Sequence, residues 1–364
     1  MISFDSTYRG KNVFITGHTG FKGSWLSAWL LKLGANVIGY SKDIPTKPSL
    51  FKTLNLEKKI EHHLGDVRNL DNLKKIMFNA SPDFIFHLAA QPLVKKSYKN
   101  PSETFSTNIM GVNNLLDILR DFRKKCAVVI ITSDKCYENI EQEQGYKESD
   151  LLGGKDPYSA SKGAAEIVFR GYYESFFKSQ SQIQIATARA GNVIGGGDWA
   201  SDRLIPDCIK AWLKKDIVEV RSPNATRPWQ HVLEPLSGYL MLAERLYLTN
   251  KINGESFNFG PLSDNKNSVM DVLKLLSKKI SISELPCNYE IVNANTFHEA
   301  TLLQLDCEKA SSVLNWQATL NFEETMEFTT QWYFKNKMIP NKIEGFTMKQ
   351  IELYTEIAIG KKVI

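Results

Sequence analysis

The feature that most constrains the fold of this chain is a glycine-rich turn, Gly17-His-Thr-Gly20-Phe-Lys-Gly23. Residues 12–16 before it have the composition of a buried strand, and residues 24–33 after it that of an apolar helix. A strand, a glycine turn and a helix in this order let the backbone approach a pyrophosphate, which then lies at the helix N-terminus. The turn therefore predicts a dinucleotide-binding fold. Its candidate cofactor contacts are Gly17, His18, Thr19, Gly20, Phe21, Lys22 and Gly23.

Short apolar runs alternate with helical segments up to about residue 190. The strand patterns lie at 13–16, 35–39, 62–65, 84–88, 127–132 and 185–189. Strands that alternate with helices form a parallel, doubly wound sheet. We therefore expect an α/β protein in which residues 1–190 form a Rossmann domain.

The regular alternation of strand and helix patterns ends at about Gly191. After it, glycines and prolines separate short elements. We assign residues 191–340 mainly to a smaller C-terminal lobe that binds the substrate. A helix at 233–248 and a strand at 256–260 are expected to return to the sheet. The tail, 341–364, is either a docking helix or a mobile segment.

Charge and composition argue against several classes of protein. The 364 residues include 45 basic and 40 acidic ones without a block of like charge, so we expect no nucleic-acid partner. The chain has no apolar run of about eighteen residues and no secretory leader, so we expect no membrane partner. Five cysteines without a C-x-x-C pair are typical of reduced thiols in the cytoplasm. The spacing of histidines and cysteines predicts no metal site.

Two groups of residues downstream of the turn can transfer protons. Tyr158 and Lys162 are one helical turn apart, so the ammonium should lower the pKa of the phenol from its usual value of about 10. A phenolate of this kind can take a proton from a hydroxyl while hydride leaves the same carbon. Ser133 precedes a second acid/base pair, Asp134 and Lys135, as expected if further C–H and C–O bonds break in the same pocket.

Other cofactor contacts are expected where strands end. Asp66 and Val67 follow the third strand and are placed to contact an adenine, and small residues at the end of the fourth strand let a cofactor pass. The second strand ends in Gly39-Tyr-Ser-Lys-Asp43, with its acid later than the usual ribose-binding position, and we favour NAD over NADP. The residues at the end of the fourth strand are Leu88, Ala89 and Ala90.

A known superfamily shares these motifs in this order. The motifs Thr16-Gly-x-x-Gly-x-x-Gly23, His87-Leu-Ala-Ala-Gln91, Asn108, Ser133 and Tyr158-x-x-x-Lys162 resemble the extended short-chain dehydrogenase/reductases over residues 10–335. Four longer strings resemble the nucleotide-sugar 4,6-dehydratase branch, and within it the enzymes that act on CDP-glucose. These strings lie at 16–23, 132–137, 190–199 and 227–232.

The resemblance implies a role for each proton-transferring residue. Tyr158 takes the proton of the sugar 4-hydroxyl, Ser133 hydrogen-bonds the same oxygen, and Lys162 holds the ribose of NAD. After oxidation at C4, Asp134 donates a proton to the departing 6-hydroxyl, and hydride then returns to C6. The dTDP-glucose dehydratases carry Thr-Asp-Glu where this chain has Ser133-Asp134-Lys135. Lys135 is therefore either a neutral amine that serves as the C5 base or a group that stabilises the enolate.

A loop in the second half is rich in planar and cationic groups. Its residues Arg227, Trp229 and His231 suit a pyrophosphate and a pyrimidine base. The resemblance implies that Asn108 contacts the cofactor, and it adds substrate contacts, among which His298 is equally compatible with a structural role. These further contacts are Gln91, Asn192, Arg203, Leu204, Arg221 and His298.

The expected activity is dehydration of a nucleotide sugar, a small-molecule substrate, with CDP-glucose implied by resemblance alone. Two alternatives remain open: a nucleotide-sugar epimerase, and a non-catalytic protein of the same fold that senses NAD(P). The helices at 101–123 and 158–177 have long apolar faces, which either pack against a second subunit in a homodimer or larger homo-oligomer or only cover the sheet.

Overall fold

A seven-stranded parallel sheet forms the centre of the protein. The structure, a computed structural model, describes residues 4–179, 182–220, 222–262, 267–281, 287–292 and 302–363. The strands of these residues are β1 Asn12–Thr16, β2 Asn36–Ser41, β3 Glu61–Leu64, β4 Phe84–His87, β5 Cys126–Ile131, β6 Ile183–Arg189, β7 Val193–Ile194, β8 Val218–Val220, β9 Thr226–Arg227, β10 Gln230–His231, β11 Ser256–Asn258, β12 Asn267–Ser268 and β13 Tyr289–Ile291. The order in the central sheet is β11-β6-β5-β4-β1-β2-β3.

Helices connect and cover these strands. They are α1 Asp5–Tyr8, α2 Phe21–Lys32, α3 Leu50–Thr53, α4 Leu70–Ala80, α5 Val94–Lys99, α6 Pro101–Phe105, α7 Gly111–Arg120, α8 Pro157–Tyr172, α9 Leu204–Lys214, α10 Leu233–Leu248, α11 Val269–Ser281, α12 Phe322–Met338 and α13 Ile343–Gly360. A π-helical turn at 106–110 joins α6 to α7, and another at 173–177 extends α8. The predicted doubly wound α/β fold is confirmed.

The strand order places a crevice at one edge of the sheet. Strands β1 and β4 are neighbours, but the chain runs from β1 to β2 on one side and from β4 to β5 on the other. Ligands of doubly wound sheets bind at such a switch point, beyond the carboxyl ends of the strands. β5 is buried along its whole length, as expected for a strand covered on both faces.

The six strands predicted from the sequence are present, with bounds that differ by a few residues. α2 begins at Phe21, earlier than the predicted start at residue 24, because Gly20 is its N-cap residue. The last glycine of the turn, Gly23, therefore lies inside the helix. α10 has the predicted bounds and packs on β5 and β6, and β11 pairs with β6.

The tail forms a docking helix, the first of the two alternatives. The ring of Tyr354 in α13 packs edge-on against Trp29 of α2, with 5.7 Å between ring centroids. The Tyr354 hydroxyl donates a 2.9 Å hydrogen bond to the buried carboxylate of Glu234 in α10. In the part of the chain that the structure describes, no helix is long and apolar enough to span a membrane.

Candidate active site

The glycine turn forms a cradle that side chains would fill. Gly17 has φ +77°, and a Cβ there would lie 2.8 Å from the Ala89 nitrogen. A Cβ at Gly23 would lie 2.2 Å from the Gly17 carbonyl oxygen, so both glycines are needed for close backbone packing. A Cβ at Gly20 would meet only that oxygen, at 3.4 Å, which leaves the outer side of the turn open. No side chain caps the N-terminus of α2, whose N–H groups therefore suit a pyrophosphate.

Two side chains of the turn face the sheet instead of the crevice. The imidazole of His18 is buried, with Nδ1 2.8 Å from the Ser41 hydroxyl and Nε2 2.7 Å from Nδ1 of His62. Burial lowers the pKa of His18 to about 3, so this histidine is neutral. Thr19 donates a 2.6 Å hydrogen bond to the carbonyl of Asp43. His18 and Thr19 therefore attach the turn to the end of β2.

The side chain of Lys22, a predicted cofactor contact, reaches the acid/base residues. Lys22 is half-buried, and its ammonium lies 3.5 Å from the hydroxyl of Tyr239 in α10, close enough to Asp134 and Lys162 to feel their charges. Burial, and next the charge of Arg203, lower the pKa of Lys22 to about 7. Sequence reasoning missed Tyr239, because no motif marks this tyrosine within the helix.

The predicted adenine and cofactor contacts follow the ends of β3 and β4. Asp66 accepts two hydrogen bonds from the Arg68 guanidinium, of 3.0 and 2.6 Å, which hold the pKa of Asp66 below its usual value. Val67 is buried. The half-buried residues after β4 are Leu88, Ala89 and Ala90.

Asn108 fixes the segment after β4 at Gln91. Its side-chain oxygen accepts a 2.7 Å hydrogen bond from the backbone N–H of Gln91, and its amide donates a 2.8 Å bond to Ser161 of α8. The Gln91 amide in turn donates to Thr104, at 2.9 Å. Asn108 stands in the π-helical turn 106–110, a distortion that is frequent at functional sites.

The acid/base residues after β5 form a buried cluster. The Ser133 hydroxyl donates a 2.9 Å hydrogen bond to Oδ1 of Asp134, and the Asn192 amide lies 3.4 Å from Oδ2. Asp134 is only 1 % exposed. A Cβ at Gly191 would stand 1.8 Å from Oδ2 of Asp134, so the glycine leaves the space that this carboxyl occupies.

Tyr158 and Lys162 lie on the adjoining face of α8. The Tyr158 phenol is hydrogen-bonded to Ser133, and Lys162 donates a 3.4 Å bond to the carbonyl of Ile131 at the end of β5. The carboxylate of Asp156 accepts from the backbone N–H of Tyr158 at 2.9 Å and so fixes the start of the helix. The two predicted groups of proton-transferring residues thus lie together at the carboxyl end of β5.

The predicted pKa shift of Tyr158 was wrong for this arrangement. Burial raises the pKa of Tyr158 to about 12, and this outweighs the lowering by the Ser133 hydrogen bond and by the charge of Arg203. The same burial lowers the pKa of Lys162 to about 8. Desolvation disfavours both the phenolate of Tyr158 and the ammonium of Lys162. The sequence spacing of the two residues does not reveal their burial.

The remaining predicted substrate residues line different parts of the second half. Arg203 pairs with Asp198 at 2.8 Å just before Leu204 opens α9. Arg227 lies half-buried in β9, and Trp229 donates a 3.1 Å hydrogen bond to the carbonyl of Asn267. His231 is enclosed between the rings of Trp25 and Phe328. Arg221 and His298 lie outside the described residues.

Lys135 differs from its neighbours in being half-buried and only partly enclosed. Its backbone N–H donates a 3.3 Å hydrogen bond to the Ser133 hydroxyl, which fixes the turn 134–136. Among the residues that the structure describes, no group of three or more histidines, cysteines and carboxylates is arranged to hold a metal ion.

Fold and site together define a dinucleotide-dependent enzyme with a Tyr-Lys pair and a separate carboxylic acid. A family model for GDP-mannose 4,6 dehydratase matches residues 14–329. The chain belongs to this family, within the extended short-chain dehydrogenase/reductase superfamily. The CDP-glucose 4,6-dehydratase of Salmonella typhimurium is 46 % identical over 90 % of this chain and 91 % of its own. The CDP-paratose 2-epimerase of Salmonella typhi is 25 % identical over 88 % of this chain and 98 % of its own.

Solved structures share the fold at lower identity. The UDP-glucuronic acid 4-epimerase of Bacillus cereus, in complex with UDP-glucuronic acid and NAD, has a TM-score of 0.75 at 25 % identity over 89 % of this chain and 99 % of that one. The dTDP-glucose 4,6-dehydratase of Bacillus anthracis, in complex with NAD, has a TM-score of 0.73 at 20 % identity, over 90 % and 98 % of the two chains.

Proposed function

We propose that this protein is a nucleotide-sugar 4,6-dehydratase that converts CDP-glucose to CDP-4-dehydro-6-deoxyglucose and water. The observation that carries the proposal is the buried carboxyl of Asp134, which is hydrogen-bonded to Ser133 beside the Tyr158 phenol. The Ser133–Tyr158 pair suits oxidation of an alcohol, and the adjacent acid suits expulsion of a hydroxyl. The choice of CDP-glucose comes from the 46 % identical relative.

NAD is the cofactor that the crevice suits. The open turn at Gly20 and the uncapped N-terminus of α2 would hold its pyrophosphate, with Asp66 and Val67 toward the adenine. Lys42, the cation at the end of β2, lies 3.6 Å from Glu103 and 3.9 Å from Asp66. Its charge is thereby compensated, which favours NAD over a cofactor with an additional 2′-phosphate. When bound, NAD supplies the hydride acceptor at sugar C4 and the hydride donor at C6.

The oxidation step depends on Tyr158, Ser133 and Lys162. Tyr158 takes the proton of the sugar 4-hydroxyl as C4 loses hydride, and Ser133 hydrogen-bonds the same oxygen. Since burial raises the pKa of Tyr158 to about 12, the phenolate needs further positive charge nearby. Lys162, close to the end of β5, is placed to supply it.

The elimination step depends on Asp134 and Lys135. The 4-ketone makes the C5 proton acidic, and Lys135 either removes it as a neutral amine or stabilises the enolate. Asp134 donates its proton to the 6-hydroxyl. The C6–O bond then breaks, water leaves, and a C5–C6 double bond forms in the sugar. Hydride is then added to C6 and a proton to C5, so the sugar undergoes no net oxidation.

The nucleotide is assigned to the second half of the chain. Arg203, Arg227 and Trp229 offer two guanidinium groups and an indole ring, which suit the pyrophosphate and a pyrimidine base. Arg203 keeps one guanidinium nitrogen on Asp198, which fixes its direction. His231, enclosed and neutral because burial lowers its pKa to about 3, is proposed to support this region from behind.

We propose a homodimer or larger homo-oligomer in the cytoplasm. Three apolar side chains are exposed on α8 and on the π-helical turns 106–110 and 173–177: Met110 at 46 %, Ile167 at 61 % and Phe176 at 40 %. A second copy would cover this surface. Cys126, Cys136 and Cys208 are buried and too scattered along the chain for a disulfide framework, as is usual for proteins of a reducing compartment.

A substrate panel tests the proposed function. The purified protein with NAD should convert CDP-glucose, and UDP-glucose or dTDP-glucose more slowly, to a product with the alkaline absorbance of a 4-keto sugar. Interconverted hexoses without loss of water would support the epimerase alternative. No turnover of any of these nucleotide sugars, in the parent as in a Tyr158→Phe variant, would instead support the non-catalytic alternative.

A further inference from the structure

We propose that the buried ion pair between Arg189 and Glu166 is a positioning device, which holds the acid/base segment 132–137 at a fixed distance from the helix of Tyr158 and Lys162. The inference rests on the proposed function. It assigns a task to two residues that are not among the predicted cofactor or substrate contacts.

The pair lies directly beneath the acid/base cluster. The side chains are 3 % and 2 % exposed, and the guanidinium of Arg189 binds the carboxylate with two parallel bonds, Nε–Oε1 at 3.0 Å and NH2–Oε2 at 2.8 Å. Glu166 follows Lys162 by one turn of α8, so the two share a face of that helix. Arg189 is the last residue of β6, which runs beside β5.

Each partner holds one end of the acid/base segment. Thr132, immediately before Ser133, donates a 2.5 Å hydrogen bond to Oε1 of Glu166. Tyr137, at the other end, accepts a 2.8 Å hydrogen bond from Arg189, whose guanidinium also lies 4.9 Å from the centre of the tyrosine ring. One ion pair therefore fixes both Thr132 and Tyr137, and the residues 133–135 lie between these two fixed positions.

The same pair is bound to the next strands of the sheet. Thr187 of β6 donates to Glu166 at 2.9 Å, and the Ser256 hydroxyl of β11 lies 3.3 Å from the same oxygen. The Tyr137 hydroxyl donates a 2.7 Å bond to Asn258, also in β11. With each oxygen satisfied, the carboxylate stays ionised, and the charge of Arg189 and these hydrogen bonds keep the pKa of Glu166 low despite burial.

The Arg189–Glu166 pair is better explained by the positions that it fixes than by a contribution to the free energy of unfolding. A buried ion pair contributes little net stability compared with well-packed apolar side chains, because both charges lose their hydration. Its planar, two-point contact does fix the relative positions of β6 and α8. Since a misplacement of about 1 Å in an active site can cost about 100-fold in rate, this precision has a catalytic value.

The test removes single hydroxyl groups that connect the pair to the segment. Tyr137→Phe and Thr132→Val leave the ion pair intact, and the double variant releases both ends. The matched controls are Tyr354→Phe and Thr347→Val, two buried hydroxyls in α13 with side-chain partners of their own. We measure kcat and KM for CDP-glucose, bound NAD, thermal stability and the absorbance of reduced nicotinamide during turnover.

We expect kcat to fall about tenfold in each single variant and about 100-fold in the double variant, with KM and bound NAD unchanged. Reduced nicotinamide should accumulate in turnover, because a displaced Asp134 slows elimination after C4 is oxidised. The controls should lose stability but keep kcat. Equal losses of kcat in the controls, or a kcat of the double variant equal to that of the parent, would overturn the inference.

A second variant tests the ion pair itself. Arg189→Lys keeps the charge but loses the planar fork, and it should reproduce the double variant's accumulation of reduced nicotinamide. If this variant does not fold, the hydroxyl variants alone decide. A parent protein that makes no 4-keto product would contradict the proposed function, whereas an active parent with unaffected variants would contradict only the positioning role.

Discussion

Because Gly191 has no side chain, the carboxyl of Asp134 can occupy the space next to it. A Cβ at this position would stand 1.8 Å from one carboxylate oxygen and 2.0 Å from Cγ, so the acid would have to move. Asp134 is anchored by Ser133 and Asn192, and its displacement would break both contacts. Under the proposed function, the glycine therefore keeps the proposed general acid in its position.

We predict that Gly191→Ala lowers kcat by about 100-fold, because the general acid no longer reaches the 6-hydroxyl. Bound NAD should be unchanged, since the substitution is remote from the glycine turn. The measurement is kcat per NAD-loaded site. Gly171→Ala is the control, because a Cβ at Gly171 in α8 would meet nothing within 4 Å. A fully active Gly191→Ala variant would show that Asp134 is not the acid.

At the scale of elements, the first turn of α2 forms the proposed cofactor cradle. Gly23 lies inside this helix, and a Cβ there would be 2.2 Å from the Gly17 oxygen and 2.6 Å from the Cα of His18. Both contacts are with backbone, which cannot move aside as a flexible side chain can. The turn is also held from below by the His18–Ser41 and His18–His62 contacts.

Gly23→Ala should therefore abolish NAD binding by opening the cradle. Calorimetric titration with NAD measures the affinity directly, and thermal unfolding reports any accompanying loss of stability. The matched control is Gly345→Ala in α13, where a Cβ has open space and alanine should stabilise the helix by up to about 1 kcal/mol. Unchanged NAD affinity in Gly23→Ala would place the cofactor elsewhere.

Local pattern predicted the elements and their order well. The helix 233–248 and the strands up to β6 follow from apolar periodicity and from punctuation by glycine and proline. The start of α2 was placed too late, because Gly20, Phe21 and Lys22 resemble a loop until the cap geometry is known. The docked tail could not be predicted, because its partners Trp29 and Glu234 lie far away in the sequence.

The site was predictable where its residues form short motifs and not where they meet through folding. Ser133, Asp134, Tyr158 and Lys162 were found because motif spacing brings them to one strand end. Tyr239 and the pair of Arg189 with Glu166 come from separate elements. The direction of the Tyr158 pKa shift depends on burial, which no spacing reveals.

At the scale of the whole molecule, Glu234 connects the sheet-covering helix α10 to the C-terminal part of the chain. Its buried carboxyl accepts hydrogen bonds from the backbone of Thr319 at 2.9 Å and of Leu320 at 2.6 Å, and from the hydroxyl of Tyr354. Burial nevertheless raises the pKa of Glu234 to about 7. The folded protein therefore retains a proton there that the unfolded chain releases near its ordinary pKa of 4.5.

This shift predicts that stability falls as pH rises from about 4.5 to about 7, because the native state binds the extra proton in that window. The contribution is on the order of 3 kcal/mol and is fully present below the unfolded pKa. Urea unfolding of the parent and of Glu234→Gln at several pH values measures it, with Glu344→Gln, a partly exposed carboxylate paired with Lys59, as the control. A parent and Glu234→Gln variant with equal pH slopes would contradict the assignment.

The most direct measurement of the proposed chemistry follows the hydrogen at C4. The account predicts that CDP-glucose with deuterium at C4 gives a 4-keto-6-deoxy product that carries the deuterium at C6, because one hydride is removed and returned within the same closed site. A product with no deuterium at C6 would contradict the account.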